Sequence, residues 1–310
     1  MAVVMQKLKG KVAIVTGGAS GIGEATVRLF AQHGARAVVI ADTQDEKGRA
    51  VAESIPLQVC SYVHCDVSDE NQVKGMVDWT VKEYGQLDIM FSNAGTVGNS
   101  GQKVLDLDLS KFDRVIRVNA RGMAACVKHA ARAMVEQGVR GSIVCTGSVA
   151  ASKGAAWRTD YTMSKHAVLG LVTSASRQLG EYGIRVNSIS PSAVMTPLMS
   201  SVEAETSMKV LKMYGRLTSL KGITLTVKHL ADAVLFLASD DSAFVNGHDL
   251  LVDGGLLHLP DPMMLRLLMI WQIASYNSRQ CNIVLLETME NEFHKLSIGS
   301  TRYPVNYYGL

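Results

Sequence analysis

The chain has 310 residues, is 47% hydrophobic and 19% charged, and carries 31 basic against 28 acidic side chains, a net charge of +3. That apolar content excludes a disordered chain. Without a dense basic block, the charge balance gives nucleic acid or an anionic membrane no footprint.

In chain order, short Val/Ile-rich runs alternate with longer amphipathic ones. Strands are predicted over 12–16, 37–41, 58–65, 87–91, 142–146, 185–190 and 248–252, and helices over 21–33, 45–54, 69–84, 111–136, 160–182 and 227–238. The strand runs lack a polar alternation, as expected for parallel strands covered on both faces. Gly34 and Gly183 lie just past two of the helices, in the usual C-terminal capping place. The alternation predicts an α/β fold: one Rossmann-like, doubly wound parallel sheet of about seven strands with helices on both faces, spanning 1–259. Residues 191–228 break the rhythm and are expected to form a flap over a site. The alternation stops after Asp253-Gly254-Gly255, so 260–310 is expected to be an atypical, poorly ordered tail. Its most apolar stretch, 263–273, is interrupted by Arg266 and too short to span a bilayer. The first nine residues lack the pattern of a secretory signal or of an Arg- and Ser-rich transit peptide, so a cytoplasmic protein is expected. Cys60, Cys65, Cys126, Cys145 and Cys281 form no CxxC pair, and the histidines form no HExxH. Free buried thiols and no metal are therefore expected.

The first strand runs into Thr16-Gly17-Gly18-Ala19-Ser20-Gly21-Ile22-Gly23, which opens a helix. Glycines allow a sharp turn and close approach of a pyrophosphate, and the helix N-terminus favours the anion. The spacing is GxxxGxG rather than the usual GxGxxG. Asp42 ends the second strand, where a carboxylate can accept both ribose hydroxyls and repel a 2′-phosphate. Thr43 follows it, and neither Gly18 nor Ser20 supplies the cation that NADP would need, so NAD is expected. Asp66 and Asn93-Ala94-Gly95 end the third and fourth strands, on the same ligand-binding edge.

Tyr161 and Lys165 are four apart on a predicted helix and share a face. An ordinary tyrosine, with a pKa near 10, is a poor base. A neighbouring ammonium, and the positive ring of an oxidised nicotinamide, favour its phenolate, which could deprotonate an alcohol. Ser148, just after the fifth strand, could hydrogen-bond the reacting oxygen. Asn119, a mediocre helix former in the preceding long helix, could serve as a water-holding relay.

In this order the loop 16–23, Asp66, Asn93-Ala94-Gly95, Asn119, Ser148 and Tyr161-xxx-Lys165 resemble the short-chain dehydrogenase/reductase family over residues 8–258. The resemblance implies a homotetramer and a catalytic tetrad of Asn119, Ser148, Tyr161 and Lys165. It implies a cofactor site using Gly17, Ser20, Gly21, Ile22, Gly23 and Asp42, with Asp66 and Val67 at the adenine and Asn93 ordering the strand beside it. It further implies Tyr161 and Lys165 at the nicotinamide end, with Val194 and Thr196 at the carboxamide. One departure is Ser192 after Pro191, where the family commonly has glycine, on the nicotinamide side of the pocket.

The runs 37–48, 61–67, 104–114, 118–128 and 218–222 are similar to the plant secondary-alcohol dehydrogenases of terpenoid metabolism. That likeness implies NAD-dependent oxidation of a small apolar alcohol, a cyclic monoterpenoid of isopiperitenol or borneol type, to its ketone. Xanthoxin- or lignan-type alcohols are alternatives, and some relatives cyclise rather than oxidise, which leaves open a non-redox protein that only holds the cofactor. The expected substrate walls are 96–100, 149–157 and 193–217. In the third, Met195, Leu198, Met199, Met208, Leu211, Met213 and Tyr214 suit an irregular apolar ligand. Lys153, Arg158, Lys209, Lys212 and Arg216 are expected to face solvent.

Overall fold

The computed structural model describes residues 6–55, 59–98, 101–155, 157–200 and 204–258. The tail at 260–310, with Cys281 and the apolar stretch 263–273, lies outside the described residues, as do positions 99 and 100 of the first substrate wall and Ala156 of the second.

Seven parallel strands form one sheet: β1 (Val12–Thr16), β2 (Ala37–Asp42), β3 (Cys60–His64), β4 (Ile89–Ser92), β5 (Ser142–Thr146), β6 (Arg185–Pro191) and β7 (Asp249–Val252). Their order is β3-β2-β1-β4-β5-β6-β7. The chain therefore reverses its direction of travel between β1 and β4, and the carboxyl ends of these two strands flank the crevice where such sheets bind ligands. Every residue of β1 is buried, which explains why its sequence shows no polar alternation. Successive side chains enter opposite cores: Ile14 joins one face, and Ala13 and Val15 the other.

On the first face lie α3 (Glu70–Tyr84), α5 (Met123–Glu136) and α6 (Thr159–Leu179); on the second lie α1 (Gly21–Gln32), α2 (Asp45–Ser54) and α9 (Val227–Ala238). Helix α1 is held by Val27 and Phe30, both fully buried, and each such side chain contributes about 1.5–3 kcal/mol. Asp69 caps α3 by accepting from the Asn71 N–H, and Gly85 ends that helix in a left-handed conformation, φ 76°. Helix α2 lies close against β3 because Gly48 has no side chain; a Cβ there would sit 2.2 Å from the Tyr62 ring.

The long helix expected over 111–136 is broken into α4 (Leu109–Ile116), a π-helical turn (Arg117–Gly122) and α5. Such wide turns often mark functional sites. This one buries Asn119 and Gly122, and a Cβ at Gly122 would lie 2.8 Å from the Val67 carbonyl oxygen. The flap comprises the short α7 (Pro197–Ser200) and α8 (Ala204–Leu217). Its far end returns to the sheet at Gly254-Gly255, where Leu220 N–H donates to the Gly254 carbonyl at 3.1 Å. Both glycines have positive φ, and a Cβ on Gly255 would fall 2.0 Å from Ser219 Oγ.

Candidate active site

At the end of β1, the N–H groups of Gly17 and Gly18 donate to the Ala41 carbonyl at 2.8 and 3.4 Å. This folds the loop back over β2. The loop cannot hold larger residues: a Cβ on Gly23 would sit 2.1 Å from the Gly17 carbonyl oxygen, and one on Gly17 3.0 Å from Ala94 Cα. Ser20 is the N-cap of α1, but its side chain makes no capping hydrogen bond. The first N–H groups of a helix have no intrahelical acceptor, so this end keeps donors and a positive dipole for an anion. Thr196, at the start of the flap, sits over Gly21, its methyl 3.3 Å from where a Cβ would be. Val194 is buried beside it.

Asp42 is buried at the end of β2. One carboxylate oxygen accepts from the Ala19 N–H at 3.1 Å, the other from the Gln44 N–H at 3.0 Å and side-chain amide at 3.3 Å. No basic side chain pairs with it among the described residues, so its charge stays available at the rim of the glycine loop. Asp66 turns its carboxylate onto the Ser68 N–H at 2.9 Å, and Val67 is buried against the π-helical turn.

Asn93 ties three strands together. Its N–H donates to Thr16 Oγ1 at 2.9 Å, its amide nitrogen to the Thr16 carbonyl at 3.1 Å, and its amide oxygen accepts from Thr146 Oγ1 at 3.1 Å. Thr16 and Thr146 gave no sequence signal of this role, because a threonine closing a strand is commonplace. The carbonyl of Thr146 in turn accepts from Lys165 Nζ at 2.8 Å.

Lys165 is 3% exposed, and burial holds its pKa down at about 8. Its ammonium nitrogen lies 5.6 Å from the centre of the Tyr161 ring. Burial raises the Tyr161 pKa, as does the neighbouring Tyr214 on α8, while a hydrogen bond with Ser148 and the charge of Arg158 lower it. The Ser148 oxygen already accepts the Ala150 N–H at 3.1 Å, which leaves the hydroxyl proton to be donated to the phenol. Tyr161 also belongs to the first turn of α6, where the helix dipole favours a negative oxygen. Ser148, Tyr161 and Lys165 are thus together at the carboxyl edge of the sheet. A glycine at 95 leaves room there: its Cβ would be 3.3 Å from Asn119 Oδ1 and 3.8 Å from Lys165 Nζ.

The Asn119 side chain forms a clasp: its amide nitrogen donates to the Thr96 carbonyl at 2.8 Å and to Ser164 Oγ at 3.1 Å, and its oxygen accepts the Thr96 N–H at 2.8 Å. One expectation changes. Arg158, expected in solvent, is half-buried and donates to the carbonyls of Val97 and Gly98. A single cation ahead of a helix carries no sequence signature that separates these two states. Ser192, the departure from the family pattern, is buried and donates its N–H to Val252 at 3.4 Å, extending the β6–β7 ladder. Met195, Leu198 and Met208 of the flap are exposed, and the side chains of Met199 and Lys209 lie outside the described residues. The described cysteines are free, and no group of metal-ligating side chains occurs among the described residues. No described helix is long and apolar enough to cross a membrane.

A doubly wound sheet with a glycine loop at its switch point and a tyrosine–lysine pair beside it defines a dinucleotide-dependent fold. A family model described as enoyl-(acyl carrier protein) reductase matches residues 17–257. The (-)-isopiperitenol/(-)-carveol dehydrogenase, mitochondrial, of Mentha piperita is 62% identical over 256 residues, covering 83% of this chain and 97% of that protein. A (+)-cis,trans-nepetalactol synthase of Nepeta racemosa is 63% identical, covering 82% and 96%. The crystal structure of levodione reductase superposes with a TM-score of 0.75 at 31% identity, covering 82% of this chain and all of that one. The chain belongs to the short-chain dehydrogenase/reductase family, whose fold takes a nicotinamide dinucleotide.

Proposed function

We propose that the protein is an NAD-dependent dehydrogenase that oxidises a cyclic monoterpenoid secondary alcohol to its ketone, with Tyr161 as the general base. The observation that carries this reading is the convergence of Ser148, Tyr161 and Lys165 beside the glycine loop. The residues present fit the dinucleotide. Gly17, Ser20, Gly21, Ile22 and Gly23 would receive the pyrophosphate, and Asp42 the adenosine ribose. Asp66 and Val67 would hold the adenine, and Val194 and Thr196 the carboxamide. Bound NAD supplies the acceptor for the hydride that leaves the alcohol carbon. The Tyr161 oxygen takes the hydroxyl proton, and Ser148 turns its one hydroxyl proton from the phenol to the reacting oxygen. Lys165 holds positive charge beside the phenol ring and would hold the nicotinamide ribose. Asn93 and Asn119 keep the strand ends and the 96–98 loop in place. NAD rather than NADP follows from Asp42, since an unpaired carboxylate repels a 2′-phosphate. The exposed Met195, Leu198 and Met208 support a small apolar substrate, because they offer adaptable surface without fixed polar demands.

A second reading is a synthase that holds the cofactor without net redox turnover. It is favoured by the nepetalactol synthase, as similar to this chain as the dehydrogenase is. Initial rates of NADH absorbance with a panel of cyclic terpenols, on the parent and on Tyr161→Phe, separate the two. The dehydrogenase reading requires turnover in the parent and a loss of roughly 10²–10⁴-fold in the variant; turnover within threefold of the parent rejects Tyr161 as base. A homotetramer is proposed on the family resemblance, with light scattering as its test. A cytoplasmic location is likewise a proposal. The name of the Mentha relative places that protein in mitochondria, so imaging of a tagged full chain decides.

A further inference from the structure

Arg158 lies immediately before α6, outside the four residues of the tetrad. Its Nη1 donates to the Val97 carbonyl at 2.6 Å and to the Gly98 carbonyl at 3.0 Å. These carbonyls belong to the loop that leaves β4 and forms the first substrate wall. The other end of that loop is fixed by the Asn119 clasp on Thr96. Gly98 has φ +69°, and a Cβ there would approach Asp160 Oδ2 at 3.4 Å, so the loop lies directly against the first turn of α6. The two segments are also stitched through their main chains. Gln102 N–H donates to the Trp157 carbonyl at 2.7 Å, and the Gln102 carbonyl accepts from Thr159 N–H and Oγ1 at 3.1 and 2.7 Å.

Among the described residues the guanidinium's hydrogen-bond partners are neutral carbonyl oxygens, and no carboxylate forms an ion pair with it. With no ion pair to absorb it, its charge is felt at Tyr161, where it favours the phenolate.

We propose that Arg158 is a positioning residue for the reaction: from the residue before α6 it holds the 96–98 wall against the first turn of that helix, the turn that carries Tyr161, and so brings a positive charge to that turn. This rests on the reading of Tyr161 as the base. The groups facing Tyr161 come from several elements. Ser148 follows β5, Tyr214 is on α8, Lys165 is one turn along α6, and Asp160 precedes Tyr161, its carboxylate accepting the Tyr161 N–H at 2.7 Å. Of these, Ser148 and the two cations favour phenolate, whereas Tyr214, the Asp160 carboxylate and burial oppose it. Removing Arg158 leaves Lys165 as the one cation of this set, and Lys165 is already committed to the Thr146 carbonyl.

The two parts of the role separate in two variants. Arg158→Gln loses the charge. Arg158→Lys keeps it, but its side chain is one bond shorter and cannot bring a nitrogen to the place from which Nη1 reaches both carbonyls. With the full chain, NAD and a turned-over alcohol, both variants should raise KM for the alcohol severalfold. Only Arg158→Gln should move the acidic limb of the kcat/KM pH profile upward, while Arg158→Lys keeps the parent limb. The second readout needs no substrate: the phenolate absorbance titration of each protein minus that of its Tyr161→Phe derivative. Its midpoint should rise in Arg158→Gln and return in Arg158→Lys. Superimposed titrations in parent and Arg158→Gln, with melting temperatures showing both folded, would overturn the proposal. So would an unchanged KM in both variants. Because the titration reads the phenol directly, a chain that turns over no alcohol fails the functional reading without deciding this one.

Discussion

Replacing Lys165 with methionine should abolish turnover yet leave the protein at least as stable at neutral pH. The ammonium is 3% exposed, and burial lowers its pKa from 10.5 to about 8. At about 1.4 kcal/mol per pH unit, keeping this charge in the folded chain costs about 3 kcal/mol. Because the folded pKa is the lower one, that cost is fully present below pH 8, where both states are protonated. It fades as the pH rises from 8 towards 10.5, where the unfolded state also loses its proton. Methionine removes the cost but strands the Thr146 carbonyl, now accepting from Nζ at 2.8 Å, a loss of about 1–3 kcal/mol. The variant should therefore lie between parity and a gain of about 2 kcal/mol at neutral pH. Above pH 10.5 it should fall about 1–3 kcal/mol below the parent. Urea unfolding of both proteins, followed by circular dichroism at the two pH values, reads the difference. An equal destabilisation at both would refute the burial argument.

Asp42→Ala should weaken NAD and improve NADP, moving their kcat/KM ratio at least about tenfold, or 1.4 kcal/mol; a parent that already prefers NADP contradicts the electrostatic role of Asp42. Gly23→Ala forces a Cβ to within 2.1 Å of the Gly17 carbonyl oxygen, with backbone on both sides. NAD dissociation measured by calorimetry should weaken at least about tenfold. Gly170→Ala, on α6 with nothing within 4 Å, is the control and should raise stability by about 0.5–1 kcal/mol. A chain stopped at Leu259 should keep NAD binding, oligomeric state and initial rate, since every assigned site residue precedes it; loss of any of these assigns the tail to the working protein.

The strands were legible in the sequence because a parallel sheet covered on both faces leaves uninterrupted apolar runs, as in β1 and β5. The glycine loop was legible because only glycine tolerates its contacts at 17 and 23. The π-helical turn at Arg117–Gly122 was not. Its residues have ordinary helical character, and the widening is set by tertiary partners, Thr96 for Asn119 and Val67 for Gly122. Arg158 was misplaced for a related reason: the acceptors that draw it inward are main-chain carbonyls, which every residue possesses and no side chain announces. Residues paired across helical spacing, Tyr161 and Lys165, could be found by counting. Those paired across the fold, such as Thr146 with Lys165, could not.

The central claim, oxidation of the alcohol by hydride transfer to NAD, is tested most directly by a single-substrate balance. A cyclic terpenol carrying deuterium at its carbinol carbon is incubated with the full chain and NAD, and both products are quantified by mass spectrometry. The account predicts ketone and NADH in equal amounts, with the deuterium in the NADH. Product formed while the NAD stays oxidised, or deuterium retained on the terpenoid, would contradict it and favour the synthase reading.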